Sequence, residues 1–145
     1  MRKKYFILLL LIMLLLKSYT KAQSIVIGPM IEKSIIGNQY GAAIGVKISN
    51  AITIGSFYLS RMPANPEGID TNTLFGLSLD YQLYHAGKLE LSGVVRAGFA
   101  NEKFFFLIPG IETRVTIAKF LSLGGMMSLR YGFPSISGKI VFNIN

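Results

Sequence analysis

The sequence predicts an all-β chain, an eight-stranded antiparallel up-and-down transmembrane β-barrel that follows a cleaved signal peptide. Three observations carry the prediction. From Ser24 onward, apolar residues alternate with small or polar ones at period 2, the mark of strands that separate two environments. In the clearest strands every charge falls on the small/polar face. A leader with basic, apolar and polar parts precedes the first strand.

Arg2, Lys3 and Lys4 open the leader, an unbroken apolar run covers Tyr5 to Leu16, and a polar stretch ends at Thr20-Lys21-Ala22. This is the plan of a secretory signal. A membrane anchor helix needs about 20 apolar residues, and Lys17 stops the run short of that. Residues 1–22 are therefore read as a signal peptide, and 23–145 as one barrel domain. Loss of Arg2, Lys3, Lys4, Lys17 and Lys21 lowers the formal net charge from +8 to +3. The remaining cations are interleaved with acids, unlike the clustered basic stripe of a nucleic-acid site, so no nucleic-acid partner is expected. With no cysteine in the chain, disulfides, thiol nucleophiles and cysteine zinc sites are excluded.

The strands follow in order. Ile25, Ile27 and Ile31 mark the first, Tyr40 to Ile48 the second, and Ala51 to Arg61 the third. In the third, Ile52 and Ile54 fall out of phase with Phe57 and Leu59, which predicts a β-bulge near Gly55 and Ser56. The fourth alternates most cleanly, with Phe75, Leu77, Leu79, Tyr81 and Leu83 against Gly76, Ser78, Asp80, Gln82 and Tyr84. The fifth sets Leu89, Leu91, Val95, Ala97 and Phe99 against Glu90, Ser92, Arg96 and Gly98. The sixth sets Phe105, Leu107, Ile111, Val115 and Ile117 against Gly110, Glu112, Arg114 and Thr116. The seventh sets Leu121, Leu123, Met127, Leu129 and Tyr131 against Ser122, Gly124, Ser128 and Arg130, and Ile136, Ile140, Phe142 and Ile144 mark the eighth. Pro29 and Pro109 lie within strands, where neither can donate to a ladder, and local bulges are expected there.

Ser49-Asn50, His85-Ala86-Gly87 and Ala118-Lys119 read as tight turns. Lys33 to Gln39, Met62 to Thr73, Ala100 to Lys103 and Gly132 to Ser135 read as the loops of the opposite rim. Short turns on the periplasmic rim and longer loops outside are how outer-membrane barrels are built.

Alternation alone does not say which face is inside; charge, bulk and aromatic placement do. Glu32, Lys47, Asp80, Glu90, Arg96, Glu112, Arg114, Arg130 and Lys139 all lie on the small/polar face, where they form a nearly balanced set. An Arg or Lys on a lipid-facing surface at mid-depth costs roughly 2–4 kcal/mol, so the apolar face is read as facing lipid. The small/polar face is read as a narrow lumen plugged by salt bridges. On the apolar face Tyr40, Phe75, Phe99, Phe105 and Tyr131 lie toward the loop rim, with Tyr81 and Phe142 toward the other. This is the banding of an interfacial aromatic girdle.

On these residues the mature chain resembles the small outer-membrane barrels of the OmpA/OmpX type, over essentially all of Gln23 to Asn145. The resemblance implies insertion into the outer membrane of a Gram-negative bacterium by the barrel-insertion machinery, with outer-membrane lipid as a partner. Barrels of that type commonly end in an aromatic residue, and Phe142 is the candidate here. The expected function is structural or in surface adhesion and recognition, with a narrow small-solute pore and a soluble periplasmic ligand-binding barrel as alternatives. The Met62 to Thr73 loop, with Glu67 and Asp70, is the candidate contact for a surface ligand. His85 is the single histidine and lies in a tight turn. No nucleophile, base and orienting group are placed together by the pattern, so no enzyme, cofactor or metal site is expected.

Overall fold

The computed structural model describes residues 24–34, 37–61 and 73–144. The signal segment 1–22, and with it any cleavage after Ala22, lies outside the described residues. So do Glu67 and Asp70 of the proposed contact loop.

Eight strands follow in chain order: β1 (Ser24–Ser34), β2 (Gly37–Lys47), β3 (Ile52–Arg61), β4 (Thr73–Ala86), β5 (Leu89–Ala100), β6 (Phe104–Ala118), β7 (Leu121–Arg130) and β8 (Phe133–Ile144). Each pairs antiparallel with its neighbours in sequence, and β1 pairs with β8 to close the barrel. Closure leaves no free sheet edge for another chain to template on. The period-2 pattern produces these strands because isoleucine, valine, phenylalanine and tyrosine fit a pleated surface, and because successive side chains point to opposite faces. β2–β3, β4–β5 and β6–β7 connect at one end, the turn rim, where β1 begins and β8 finishes; the other connections form the loop rim.

Turn chemistry is local. The β7–β8 turn is Tyr131 and Gly132, with φ of 52° and 83°; positive φ at both central residues is the type I′ pattern that suits the twist of a hairpin. Tyrosine tolerates this conformation less well than glycine, and the Arg130 guanidinium lies 5.8 Å from its ring centroid. At the β2–β3 turn the Ser49 hydroxyl accepts from the amides of Ala51 and Ile52 at 3.2 and 3.1 Å.

The structure corrects four local expectations. First, β3 has no bulge at Gly55 and Ser56, since its register runs unbroken against both β2 and β4. Phe57 and Leu59 instead keep their phase and point inward, where both are buried. Second, the irregularities lie at Gln82/Tyr84 and Thr116/Ala118, beside tight turns on the turn rim. The first of them moves Tyr84 from the expected inner face to an exposed position opposite Leu91.

Third, neither proline makes a bulge. Pro29 pairs with Ala42 and Pro109 with Val95 in unshifted registers. Each lies where the other ladder is interrupted: β1 and β8 are unpaired between Ile27 and Met30, and the β6–β7 ladder begins at Gly110. A residue without an N–H fits such a gap. Fourth, of the two loop-rim connections expected to be clearly longer, Lys33 to Gln39 is short, because β1 runs to Ser34 and β2 begins at Gly37.

Candidate functional site

The site follows from which face each strand turns inward. The large apolar side chains stand on the outside: Leu77 is 64 % exposed, Met127 68 % and Ile136 62 %. The ionic side chains are inside, with Glu32 at 0 %, Arg130 at 1 % and Glu112 at 2 %. A water-soluble barrel has the opposite arrangement, since burying charge is costly and exposing apolar surface gains nothing.

Two ionic clusters occupy the lumen. Nearer the loop rim, Arg96 Nη2 lies 2.7 Å from Glu32 Oε2, and Arg130 Nη1 lies 3.5 Å from Glu32 Oε1. Arg130 Nη1 also donates to Gln39 Oε1 at 2.7 Å, and the Arg96 guanidinium stacks 5.4 Å from the Phe57 ring centroid. Two guanidiniums thus share one carboxylate, and donors exceed acceptors. Among the described residues, Nε and Nη1 of Arg96, Nε and Nη2 of Arg130 and Oε2 of Glu32 have no hydrogen-bond partner, the 2.7 Å approach of Glu32 Oε2 to Arg96 being an ion pair without hydrogen-bond geometry.

Nearer the turn rim, Glu112 sits at the centre of the second cluster. Its Oε1 accepts from Arg114 Nη2 at 2.8 Å and Nε at 3.1 Å, and its Oε2 lies 2.6 Å from Lys139 Nζ. Arg114 also reaches Glu90 at 3.4 Å and Asp80 at 3.6 Å, and Lys139 lies 3.8 Å from Asp80. Cross-strand register explains the meeting, because Glu90 faces Arg114 across β5–β6 and Gly124 faces both Arg114 and Lys139 across β7. The missing side chain at Gly124 leaves room for them to reach Glu112. Of the nine predicted lumen charges, Lys47 shares the inward face at the end of β2 but joins no ion pair among the described residues.

The lumen also holds an apolar group that the sequence reading did not foresee: Met30, Phe57, Leu59, Leu74, Ala100, Phe106 and Ile108, packed together and buried. Phe57 and Phe106 rings approach at 6.0 Å between centroids. The signal was present in Phe57 and Leu59 being out of phase with Ile52 and Ile54, which records a change in what the inner face contains, not a change in register. Two cavities of about 30 and 20 Å³ share Ala43, Ser78, Asp80 and Lys139 in their walls, space on the scale of one or two water molecules each.

All seven aromatic residues expected in the girdle, Tyr40, Phe75, Tyr81, Phe99, Phe105, Tyr131 and Phe142, are exposed on the outer surface. Tyr58, Phe75, Phe99 and Phe105 form a cross-strand row over β3 to β6, with ring centroids 6.1 Å apart for Phe75–Phe99 and 5.9 Å for Phe99–Phe105. Tyr58, Tyr84, Phe104, Phe120 and Phe133 are further exposed aromatics that the sequence reading did not assign to the girdle.

No protein-family model matches the chain, and no curated protein matches it. Its likeness is to designed transmembrane barrels. One solved structure, described as "De novo design of transmembrane beta-barrels", superposes with a TM-score of 0.72 at 7 % identity, covering 86 % of this chain and 98 % of its own. A second, "Solution NMR structure of de novo designed TMB2.3", superposes with a TM-score of 0.68 at 10 % identity, covering 84 % and 94 %. The chain is therefore an all-β, eight-stranded, closed antiparallel barrel similar to designed transmembrane barrels. At these identities the likeness carries the fold alone and does not single out the OmpA/OmpX type. Among the described residues no group of three His, Cys, Asp or Glu side chains is placed to hold a metal ion.

Proposed function

We propose that the mature chain is an integral outer-membrane barrel with a closed lumen, exported on its leader from residues 1–22, with a structural or surface-recognition role and no catalytic activity. The observation that carries the reading is the inversion of faces: Leu77, Met127 and Ile136 outside, and Glu32, Arg96, Arg114 and Arg130 inside. In a bilayer the apolar face meets acyl chains, and the closed ladder satisfies the backbone groups that lipid cannot. The two ionic clusters and the apolar group fill the interior, which favours a plug over a solute pathway, as expected of a barrel this narrow. The soluble alternative needs the apolar residues inside, opposite to the placement of Leu77 and Arg130. Any surface ligand would be met through the long 62–72 connection.

Cell fractionation tests the reading. The chain is expected in the outer-membrane fraction, resistant to carbonate and urea washes, and released by detergent in a form whose gel mobility changes on boiling. Recovery in the detergent-free soluble periplasm would contradict it.

A further inference from the structure

Among the described residues each rim exposes two lysines, Lys33 and Lys103 on the loop rim and Lys88 and Lys119 on the turn rim, but the loop-rim pair is partly offset by an acid. Among the described residues the one exposed acid is Glu102, in the β5–β6 connection on the loop rim. On the turn rim the exposed lysines are Lys88 and Lys119, one in each of two neighbouring turns. The Thr116 amide donates to the Lys88 carbonyl at 2.8 Å, carrying the β5–β6 ladder one step past the Leu89–Val115 pair. Lys88 is thereby set directly opposite the strand end that leads into Lys119. The nearest acids, Glu90 and Glu112, are turned into the lumen and held by Arg114 and Lys139, so they do not offset this patch.

Aromatic side chains flank both lysines. Phe120 follows Lys119, and Tyr84 stands on the strand leading into the Lys88 turn; both rings are mostly exposed. Aromatic rings gather at the two interfaces of a membrane barrel, the amphipathic tyrosine at headgroup depth, and a lysine stem lies along apolar surface while its ammonium reaches the polar layer. Two lysines on neighbouring turns, with no exposed acid on their rim among the described residues, present a field that attracts phosphate.

We propose that Lys88 and Lys119, with Tyr84 and Phe120 setting the depth, form a headgroup site for an anionic phospholipid of the phosphatidylglycerol class in the leaflet against the turn rim. The inference rests on the lipid-facing reading of the barrel. It adds a lipid preference and a residue pair that carries it.

The test uses the full chain reconstituted into nanodiscs of phosphatidylcholine mixed with phosphatidylglycerol, with co-purifying lipid measured after brief detergent extraction by native mass spectrometry. The wild type is expected to retain phosphatidylglycerol above its bulk fraction. In Lys88→Gln/Lys119→Gln the enrichment falls several-fold, while Lys33→Gln/Lys103→Gln on the opposite rim keeps it. All four are exposed side chains, so the variants fold. Equal enrichment in the turn-rim variant, or equal loss in the loop-rim variant, overturns the proposal. Insertion with no enrichment in the wild type overturns it alone, whereas failure to enter nanodiscs overturns the lipid-facing reading and this inference together.

Discussion

Glu112 bridges Arg114 and Lys139 with its two oxygens at 2.8 and 2.6 Å, and its replacement leaves these two cations only the longer contacts to Glu90 and Asp80, at 3.4 to 3.8 Å, in a cramped interior. Removing one partner from a buried ionic set typically costs about 3–5 kcal/mol, because the remaining charge loses its compensation. Glu112→Gln is expected to lower stability by that order in denaturant unfolding from lipid vesicles; a change indistinguishable from wild type would mean the cluster is hydrated and loose. Phe57 makes a different prediction at the same scale. It is buried in the lumen while its neighbour Tyr58 is on the outside, so Phe57→Ala is expected to cost about 3–5 kcal/mol and Tyr58→Ala much less. Comparable losses would restore the bulged reading, in which Phe57 faces outward. The lumen charges were legible in the sequence because charge at period 2 has one tolerable face. Phe57, Leu59, Leu74, Phe106 and Ile108 were not, because an apolar residue is tolerated on either face of a membrane barrel, so hydrophobicity alone stops indicating direction.

Among the strands, β4 to β7 were the most readable, since small residues and charges hold long stretches of their inner face, with Phe106 and Ile108 at the loop end of β6 as the main exception. β3 was misread because its inner face becomes apolar half-way along. The irregularities at Gln82/Tyr84 and Thr116/Ala118 left no trace in hydrophobic periodicity, since they occur where strands turn and both faces are near water. Bulges are common at barrel rims for the same reason. Closure depends on the β1–β8 seam, and there Gly28 has a specific role: a Cβ built on it would land on the backbone carbonyl of Ile140. Gly28→Ala therefore has to push β1 and β8 apart at the position where Pro29 already interrupts the ladder. Overpacking of this kind costs about 1–3 kcal/mol or more. The variant is expected to lose part of its heat-modifiable gel band, and full retention of that band at wild-type denaturant resistance would show that the seam is not tight.

For the molecule as a whole, eight strands enclose an interior that side chains can fill, and here ionic clusters and an apolar group occupy it together. In planar bilayers the wild type is expected to give no steady conductance at moderate voltage; stable unitary channels would contradict the closed lumen and favour the narrow-pore alternative. The barrel itself and its antiparallel order were legible from strand count and short connections. Loop lengths were not, because strand ends near the rims carry residues such as Lys33, Asn38 and Gln39 that read as loop whether or not they are paired.

The face inversion admits a direct measurement. The chain has no cysteine, so single cysteines at Leu77, Met127 and Ile136 accept nitroxide labels without background. In lipid vesicles, collision rates measured by electron paramagnetic resonance are expected to be high with oxygen, which concentrates in the acyl region, and low with a water-soluble nickel chelate. The reverse ordering at these three positions would place the apolar face against water or protein and contradict the account.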